Sequence, residues 1–160
     1  FTAIFNGFGS WNYPIFYYDS AKAVAQANYN GIQVGSIGFH FINLGEWILS
    51  ACVILLGVAL LIVVIGHLFG LLFKQRLAVY VAVTLVCALG YVSVDMLPAA
   101  LVPFNPFTYF DIPRIVNGEL AFLYNSVLVT YGVGIVCLLC ATAITVVLSY
   151  FISTKIKKYS

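Results

Sequence analysis

Three long apolar stretches dominate the pattern of hydrophobic and polar positions along this chain. They cover about residues 47–73, 77–95 and 126–152. A helix that crosses a bilayer needs about 20 consecutive, largely apolar residues, and all three stretches are close to that length. The pattern therefore predicts an all-α integral membrane fold with three transmembrane helices. The chain is expected to form a single transmembrane domain, with an outer segment at 1–46, a membrane region at 47–152 and a tail at 153–160.

The composition agrees with a membrane protein. Hydrophobic residues make up 63% of the chain and charged residues 8%, whereas an ordinary soluble domain carries about 25% charged residues. A soluble fold of this length would leave much apolar surface in water, and a bilayer removes that cost. Membrane lipid is therefore an expected partner. The net charge of +2, without a basic stripe interleaved with aromatic residues, gives no indication of a nucleic-acid partner.

The basic residues orient the three helices. Lys74 and Arg76 lie in the short turn between the first two apolar stretches, and Lys155, Lys157 and Lys158 follow the third. Loops on the cytoplasmic side of a membrane are enriched in Lys and Arg. Two crossings separate the turn from the tail, so both lie on the same side and are predicted to be cytoplasmic anchors. All five acidic residues fall on the opposite, outer side or at its interface.

The outer segment before the first span, about residues 7–45, is rich in Gly, Asn and Tyr. Its glycines and Pro14 exclude a long helix. One short helix is predicted at 20–28, with Asp19 or Ser20 as the N-cap and alanines inside. The tyrosines and phenylalanines of the outer loops are expected to seat these loops at the level of the lipid headgroups.

The second outer segment, about residues 95–125, combines prolines with apolar and aromatic residues. Pro98, Pro103 and Pro106 each disfavour helix at the residue before them, yet the segment is too apolar to lie freely in water. Two short helices that dip into the outer leaflet and return satisfy both conditions, and non-helical backbone at that depth must be covered by protein. The sequence thus predicts an outer re-entrant helical hairpin.

The second helix of this hairpin is predicted at 112–124, with Asp111 as N-cap and Pro113 in the first turn. Arg114 and Glu119 lie five residues apart, which is a poor spacing for a pair on one helical face, so no salt bridge is expected between them. The candidate functional residues of the re-entrant segment are Asp95, Pro98, Pro103, Asn105, Pro106, Phe107, Asp111, Arg114 and Glu119.

Three further motifs lie inside the apolar stretches. His67 is the candidate intramembrane polar residue; it marks a proton or substrate path or, alternatively, lies at headgroup level. Gly66 and Gly70 form a GxxxG pattern, which permits close helix approach. Cys137 and Cys140 form a CxxC pattern, which can mark a metal or redox site. Within an apolar run that lacks charged or histidine neighbours, it favours simple packing between helices.

The sequence contains no recognisable catalytic arrangement. A Gly-rich phosphate loop, an HExxH motif and a plausible Ser-His-Asp set are all missing from it. The chain is therefore predicted not to be an enzyme and to need no cofactor. Any ATP hydrolysis coupled to it would be carried out by a separate subunit.

Two aromatic motifs resemble a known family. The first, GFGSWNYPI at 7–15, precedes a span that begins with a tryptophan. The second, FNPFTYF at 104–110, is followed by VNGELA at 116–121. In order and spacing these motifs resemble ABC-2 type permeases of ATP-binding cassette transporters from Gram-positive bacteria. The resemblance covers essentially the whole chain.

The resemblance implies that the three spans correspond to helices four, five and six of a six-helix permease subunit, with residues 1–8 as the outer end of helix three. Such permeases pair as dimers in the cell membrane. Each subunit docks an ATPase through a cytoplasmic coupling helix between the family's second and third spans. That helix is not in this chain, so the chain is expected to be a fragment or to work with a separate remainder of the permease.

The leading hypothesis is a multi-pass permease subunit of an exporter in a bacterial plasma membrane. Its substrate would be a peptide such as a bacteriocin, or another amphipathic molecule. The alternative is a stand-alone small membrane protein for binding, immunity or assembly, without transport activity. A membrane enzyme is a third hypothesis, but it requires polar residues that face one another inside the spans, and the spans offer few of them.

Overall fold

The computed structural model describes residues 11–19, 39–124 and 126–159, with the last described side chain at Lys155. The helices and strands, in chain order, are β1 (Pro14–Tyr18), β2 (Phe39–Asn43), α1 (Leu44–Leu72), α2 (Arg76–Ser93), α3 (Ile112–Val116), α4 (Glu119–Leu123) and α5 (Tyr131–Tyr159). Three 3-10 turns lie between α2 and α3, at Val94–Met96, Val102–Phe104 and Pro106–Phe110.

Among the described residues, three helices are long and apolar enough to cross a bilayer, which confirms the predicted fold class. The spans are Leu44–Leu72, Arg76–Met96 and Tyr131–Lys155. A helix satisfies all its interior backbone hydrogen bonds within one segment, which is why continuous apolar runs of this length fold as helices in lipid. The chain is therefore a membrane protein, and its described part contains three spanning helices.

The first span begins at Leu44, slightly earlier than the apolar pattern predicts. The first N–H groups of a helix have no acceptor within the helix. Here the Leu44 N–H donates to the Tyr13 carbonyl at 2.9 Å, and the Gly45 N–H donates to the Trp11 carbonyl at 3.1 Å. These backbone partners, which lie far away in the sequence, allow α1 to start directly after β2.

The third span begins at Tyr131, later than the predicted start at residue 126. Residues 126–129 instead form a turn in which the Val129 N–H donates to the Ser126 carbonyl at 3.2 Å. The Thr130 hydroxyl then accepts a hydrogen bond from the Val133 N–H at 3.4 Å. A threonine oxygen placed just before the first helical turn satisfies one of its free N–H groups, so α5 starts at this point.

The spanning helices lie in a row with α1 in the middle. α1 packs along α5 on one side and against α2 on the other, whereas α2 and α5 do not pack along each other. Where α1 and α5 pack together, a Cβ on Gly57 would lie 3.1 Å from Leu138 Cδ1. α2 has no buried residue. The buried face of α1 consists of Ile54, Val58, Leu61 and Ile65.

The row has an acidic end and a basic end. The start of α1, the end of α2 and the start of α5 meet at the acidic end, because residues 94–124 contact all three helices there. This end carries the acidic residues that the structure describes, which are Asp19, Glu46, Asp95, Asp111 and Glu119. The basic end consists of the α1–α2 turn, with Lys74 and Arg76, and the last turns of α5, with Lys155.

A short β-hairpin covers the acidic end and was not predicted from the sequence. β1 and β2 pair antiparallel, with Pro14 opposite Asn43 and Tyr17 opposite His40. The ring centroids of Tyr17 and His40 lie 4.8 Å apart. Contacts of this kind between opposite side chains stabilise paired strands. The helix predicted at 20–28, and the helix end implied for residues 1–8, lie outside the described residues.

Candidate functional site

The segment that connects α2 with α5, residues 94–130, is called the proline segment here. Its prolines stand at the starts of turns. The Pro98 carbonyl accepts from the Leu101 N–H at 2.8 Å, Pro103 is the second residue of the 3-10 turn Val102–Phe104, and Pro106 is the first residue of the 3-10 turn Pro106–Phe110. Proline suits these positions because its fixed φ matches the turn and its missing N–H is not needed there. The first half of the predicted hairpin is thus a series of tight turns rather than a helix.

The second half of the proline segment also differs from the prediction. The expected single helix at 112–124 is divided into α3 and α4 by Asn117 and Gly118. Gly118 adopts φ 75°, a left-handed conformation that favours glycine and ends a right-handed helix. Pro113 lies in the first turn of α3, as predicted. Asp111 occupies the predicted N-cap position, but its side chain makes no capping hydrogen bond.

Two aromatic rings, Phe107 and Tyr109, fit into notches made by glycines on two different spanning helices. A Cβ on Gly90 of α2 would lie 2.5 Å from the Phe107 ring, and a Cβ on Gly134 of α5 would lie 2.5 Å from the Tyr109 ring. No side chain larger than hydrogen fits at these separations. Phe107 and Tyr109 together form what we call the aromatic wedge, which joins the ends of α2 and α5.

Hydrogen bonds within the proline segment hold the aromatic wedge in position. The Tyr109 hydroxyl donates to the Pro103 carbonyl at 2.7 Å, and the Thr108 hydroxyl donates to the Val102 carbonyl at 2.8 Å. Tyr109 is fully buried, and burial raises the pKa of its hydroxyl, so the group stays protonated and acts as a donor. The Asn105 side-chain oxygen accepts from the Phe107 N–H at 3.0 Å.

A small cavity of about 80 Å³ opens beside the wedge at the acidic end. It is large enough for two or three water molecules, since one water takes up about 30 Å³ in the liquid. The residues that line it come from α2, the proline segment, α3 and α4, and they are Tyr91, Val94, Asp95, Phe107, Thr108, Asp111, Arg114, Leu120 and Tyr124. Of the predicted candidate residues, the fold therefore brings Asp95, Phe107, Asp111 and Arg114 together around one cavity.

Arg114 forms two ion pairs at the edge of this cavity. Its guanidinium lies 3.4 Å from the Asp111 carboxylate and 3.6 Å from the Glu119 carboxylate. The expectation that Arg114 and Glu119 would not pair was wrong, because it assumed one continuous helix. The break at Gly118 changes the direction of the chain and brings the two side chains together. Both pairs are partly exposed, so each contributes about 0–1 kcal/mol.

Asp95 and Tyr124 connect the end of α2 with the end of α4. The Tyr124 hydroxyl donates to Asp95 Oδ1 at 2.9 Å. Burial, this hydrogen bond and the negative charge of Asp95 raise the pKa of Tyr124 to about 12. The neutral, donating form of the tyrosine is therefore favoured over a wide pH range.

Asn117 is a central contact of the acidic end that the sequence analysis did not single out. Its carbonyl accepts from the Tyr18 N–H at 2.8 Å, and its side-chain oxygen accepts from the Trp47 indole N–H. It therefore ties the β-hairpin, α1 and the proline segment to one point. The Asn117-Gly118 dipeptide is a turn signal that could have indicated the break in the helix, but not these distant partners.

The other predicted residues do not gather at a site. His67 is exposed on α1 and does not face α2 or α5 as an interior residue would. A Cβ on Gly66 would lie 3.9 Å from Val83 Cγ2 of α2, whereas a Cβ on Gly70 would have no neighbour within 4 Å. The GxxxG pair thus contributes only one weak contact within the row.

The CxxC pattern also has a packing role in this structure. The Cys137 thiol donates to the Phe104 carbonyl at 3.3 Å, and Cys140 is exposed on α5. Among the residues that the structure describes, no group of three or more His, Cys, Asp or Glu side chains is arranged to hold a metal ion. Cys137 therefore adds one more link between the proline segment and α5.

Comparison with known proteins supplies no relative of this chain. No protein-family model, no curated protein and no solved structure matches it.

Proposed function

We propose that this chain is part of the permease subunit of an ATP-binding cassette exporter of the ABC-2 type. It would reside in a bacterial plasma membrane with its basic end in the cytoplasm. The proposal is supported by the order of the GFGSWNYPI, FNPFTYF and VNGELA motifs and by the distribution of Lys and Arg. The proline segment would then be the re-entrant element on the outer side.

The observation that carries this proposal is the open arrangement of the three spanning helices. Helices in a row form one wall, and a translocation pathway needs walls on several sides. α2 has no buried residue, and His67 and Thr84 lie exposed on α1 and α2. Polar side chains inside a membrane usually face protein or water rather than lipid. Further spanning helices, from the rest of the permease and from a second subunit, would cover these faces.

The proposed transport needs no chemistry from this chain. A separate ATPase subunit would bind and hydrolyse ATP, and its movement would change the side to which the helices open. The aromatic wedge would keep the outer ends of α2 and α5 at a fixed separation during that movement. A bacteriocin-like peptide or another amphipathic molecule fits a pathway lined by apolar helix faces.

Isolation of the native complex tests the proposal. The chain would carry an affinity tag in its natural membrane and be cross-linked there before solubilisation. We expect an ATPase with a Gly-rich phosphate-binding loop to co-purify in stoichiometric amount, and inverted vesicles containing the complex to accumulate substrate only with ATP. A second purification from cells with an untagged chain is the control. Recovery of the cross-linked chain without any nucleotide-binding protein would contradict the proposal.

A stand-alone binding or immunity protein is the second candidate. It is favoured by the β-hairpin at the acidic end, where Tyr13 and Phe41 are 66% and 62% exposed. Aromatic side chains of this kind are common in protein interfaces. This candidate predicts that the native complex contains a partner bound at the acidic end and no ATPase.

A further inference from the structure

The basic end carries positive charges that no carboxylate of the described residues neutralises. Lys74 and Arg76 are exposed in the turn between α1 and α2, and Lys155 is exposed near the end of α5. Among the described residues, no carboxylate pairs with any of the three, since both ion pairs there involve Arg114 at the other end. Lys157 and Lys158 follow in the same helix. The basic end therefore attracts an anionic partner.

The surroundings of these charges indicate what kind of anion fits. Leu72, Phe73 and Leu77 flank the charged turn, and 52%, 43% and 75% of their surfaces are exposed. Only three residues separate the last residue of α1 from the first of α2. Lys74 and Arg76 therefore lie next to these three apolar side chains, which together we call the apolar collar. Their long side chains can extend toward the headgroups while the stems stay on apolar surface. A soluble anion would pair with the charged groups of Lys74 and Arg76 but would make no contact with the apolar collar.

We propose that the basic end of this protein binds acidic phospholipids. The phosphate headgroup would pair with Lys74 and Arg76, and the acyl chains would lie against the exposed collar below. A charged layer above an apolar layer matches the shape of one lipid molecule. This inference does not depend on the proposed transport function, because it concerns the chain and the bilayer alone.

The acidic end provides an internal comparison. Glu46, Asp95, Asp111 and Glu119 lie there with one described guanidinium, that of Arg114, so we expect anionic lipid to bind less well at this end. Each basic residue near an acidic surface contributes about 1 kcal/mol, which corresponds to about fivefold in affinity. Removing both charges of the turn should therefore weaken the binding of acidic lipid about 25-fold.

Native mass spectrometry of the purified chain in detergent micelles tests the proposal. The chain is titrated with phosphatidylglycerol or with phosphatidylcholine of the same acyl chains, and lipid adducts are counted. We expect phosphatidylglycerol adducts at much lower lipid concentration than phosphatidylcholine adducts. K74Q/R76Q should abolish most of this difference, whereas the charge-preserving K74R/R76K should retain it. Circular dichroism verifies that both variants keep their helices.

Three results would overturn the proposal. Equal binding of the two lipids by the natural chain would remove the role of headgroup charge. Unchanged phosphatidylglycerol binding in K74Q/R76Q, or an equal loss in Arg114→Gln, would show that the basic end is not the site. Complete competition by inorganic phosphate at the lipid's own concentration would show that the anion, and not the lipid, is recognised.

Discussion

Replacing Gly134 by Ala should destabilise the packing of the proline segment against α5. Gly134 lies in the first turn of α5, where the Tyr109 ring occupies the space of the missing side chain. The added Cβ would lie 2.5 Å from Tyr109 Cδ1 and 2.7 Å from Cε1. The ring cannot move away easily, because it is fully buried and its hydroxyl is bonded to the Pro103 carbonyl at 2.7 Å.

The expected cost follows from three contributions. Overfilling a packed site costs about 1–3 kcal/mol, and loss of the Tyr109 hydrogen bond costs about 1 kcal/mol. Alanine is a better helix former than glycine, and this difference offsets about 1 kcal/mol of the cost. The net result for Gly134→Ala is a loss of about 2 kcal/mol in the free energy of unfolding.

Gly132 provides a matched control in the same turn of the same helix. A Cβ at Gly132 has no neighbour within 4 Å, so Gly132→Ala should be neutral or stabilising by up to about 1 kcal/mol. Both variants would be unfolded in detergent micelles with increasing dodecyl sulfate, and the helix signal would be followed by circular dichroism. A second pair of measurements in a Tyr109→Leu background completes a double-mutant cycle.

If the Tyr109 ring occupies the notch at Gly134, two results are expected from this cycle. Gly134→Ala must be costly with Tyr109 present and nearly free with Leu at that position, because the smaller side chain leaves room for the new methyl group. Equal costs in both backgrounds, or a Gly134→Ala cost no greater than that of Gly132→Ala, would show that the ring does not occupy the notch.

Three further changes test the acidic end. Gly118→Ala should cost about 1–2 kcal/mol in unfolding free energy from the left-handed backbone alone, and more from the clash with the Tyr18 carbonyl; a change within the error of the unfolding curve would contradict this. Arg114→Gln should cost at most about 2 kcal/mol, because it removes two ion pairs of a half-exposed guanidinium that contribute about 0–1 kcal/mol each, and a larger loss would show that its ion pairs are stronger than their exposure implies. The pKa of Tyr124, raised from 10.0 to about 12, favours the protonated hydroxyl in the folded state. Its contribution to stability is thus complete below pH 10 and lost between about pH 10 and 12. A difference absorbance titration against Tyr124→Phe should give a midpoint near 12, which Asp95→Asn lowers, and a midpoint near 10 for the unaltered chain would contradict the contact with Asp95.

The spanning helices were predictable because their cause is local. In a bilayer, a continuous apolar run satisfies its backbone only as a helix, so length and hydropathy locate α1, α2 and α5 without knowledge of their neighbours. The helix ends were less predictable. α1 starts at Leu44 because of acceptors on Trp11 and Tyr13, which lie about thirty residues earlier in the chain, and no local pattern contains that information.

The candidate site was predictable in some of its members but not in its arrangement. The prolines and the apolar character of residues 95–125 indicated an unusual, covered segment, and Asp95, Phe107, Asp111 and Arg114 do meet around one cavity. The prediction of one helix at 112–124 concealed the Arg114–Glu119 ion pair, which depends on the turn at Gly118.

The sequence by itself determined the three membrane crossings and the separation of charge between the two ends, because both follow from transferring single residues between water and lipid. Only the tertiary structure decided that α1 lies between α2 and α5, that Phe107 and Tyr109 fill the notches at Gly90 and Gly134, and that Asn117 joins three elements. These features depend on the fit between residues distant in the chain. Packing of this kind is a property of surfaces in contact, and a linear pattern of polar and apolar positions does not contain it.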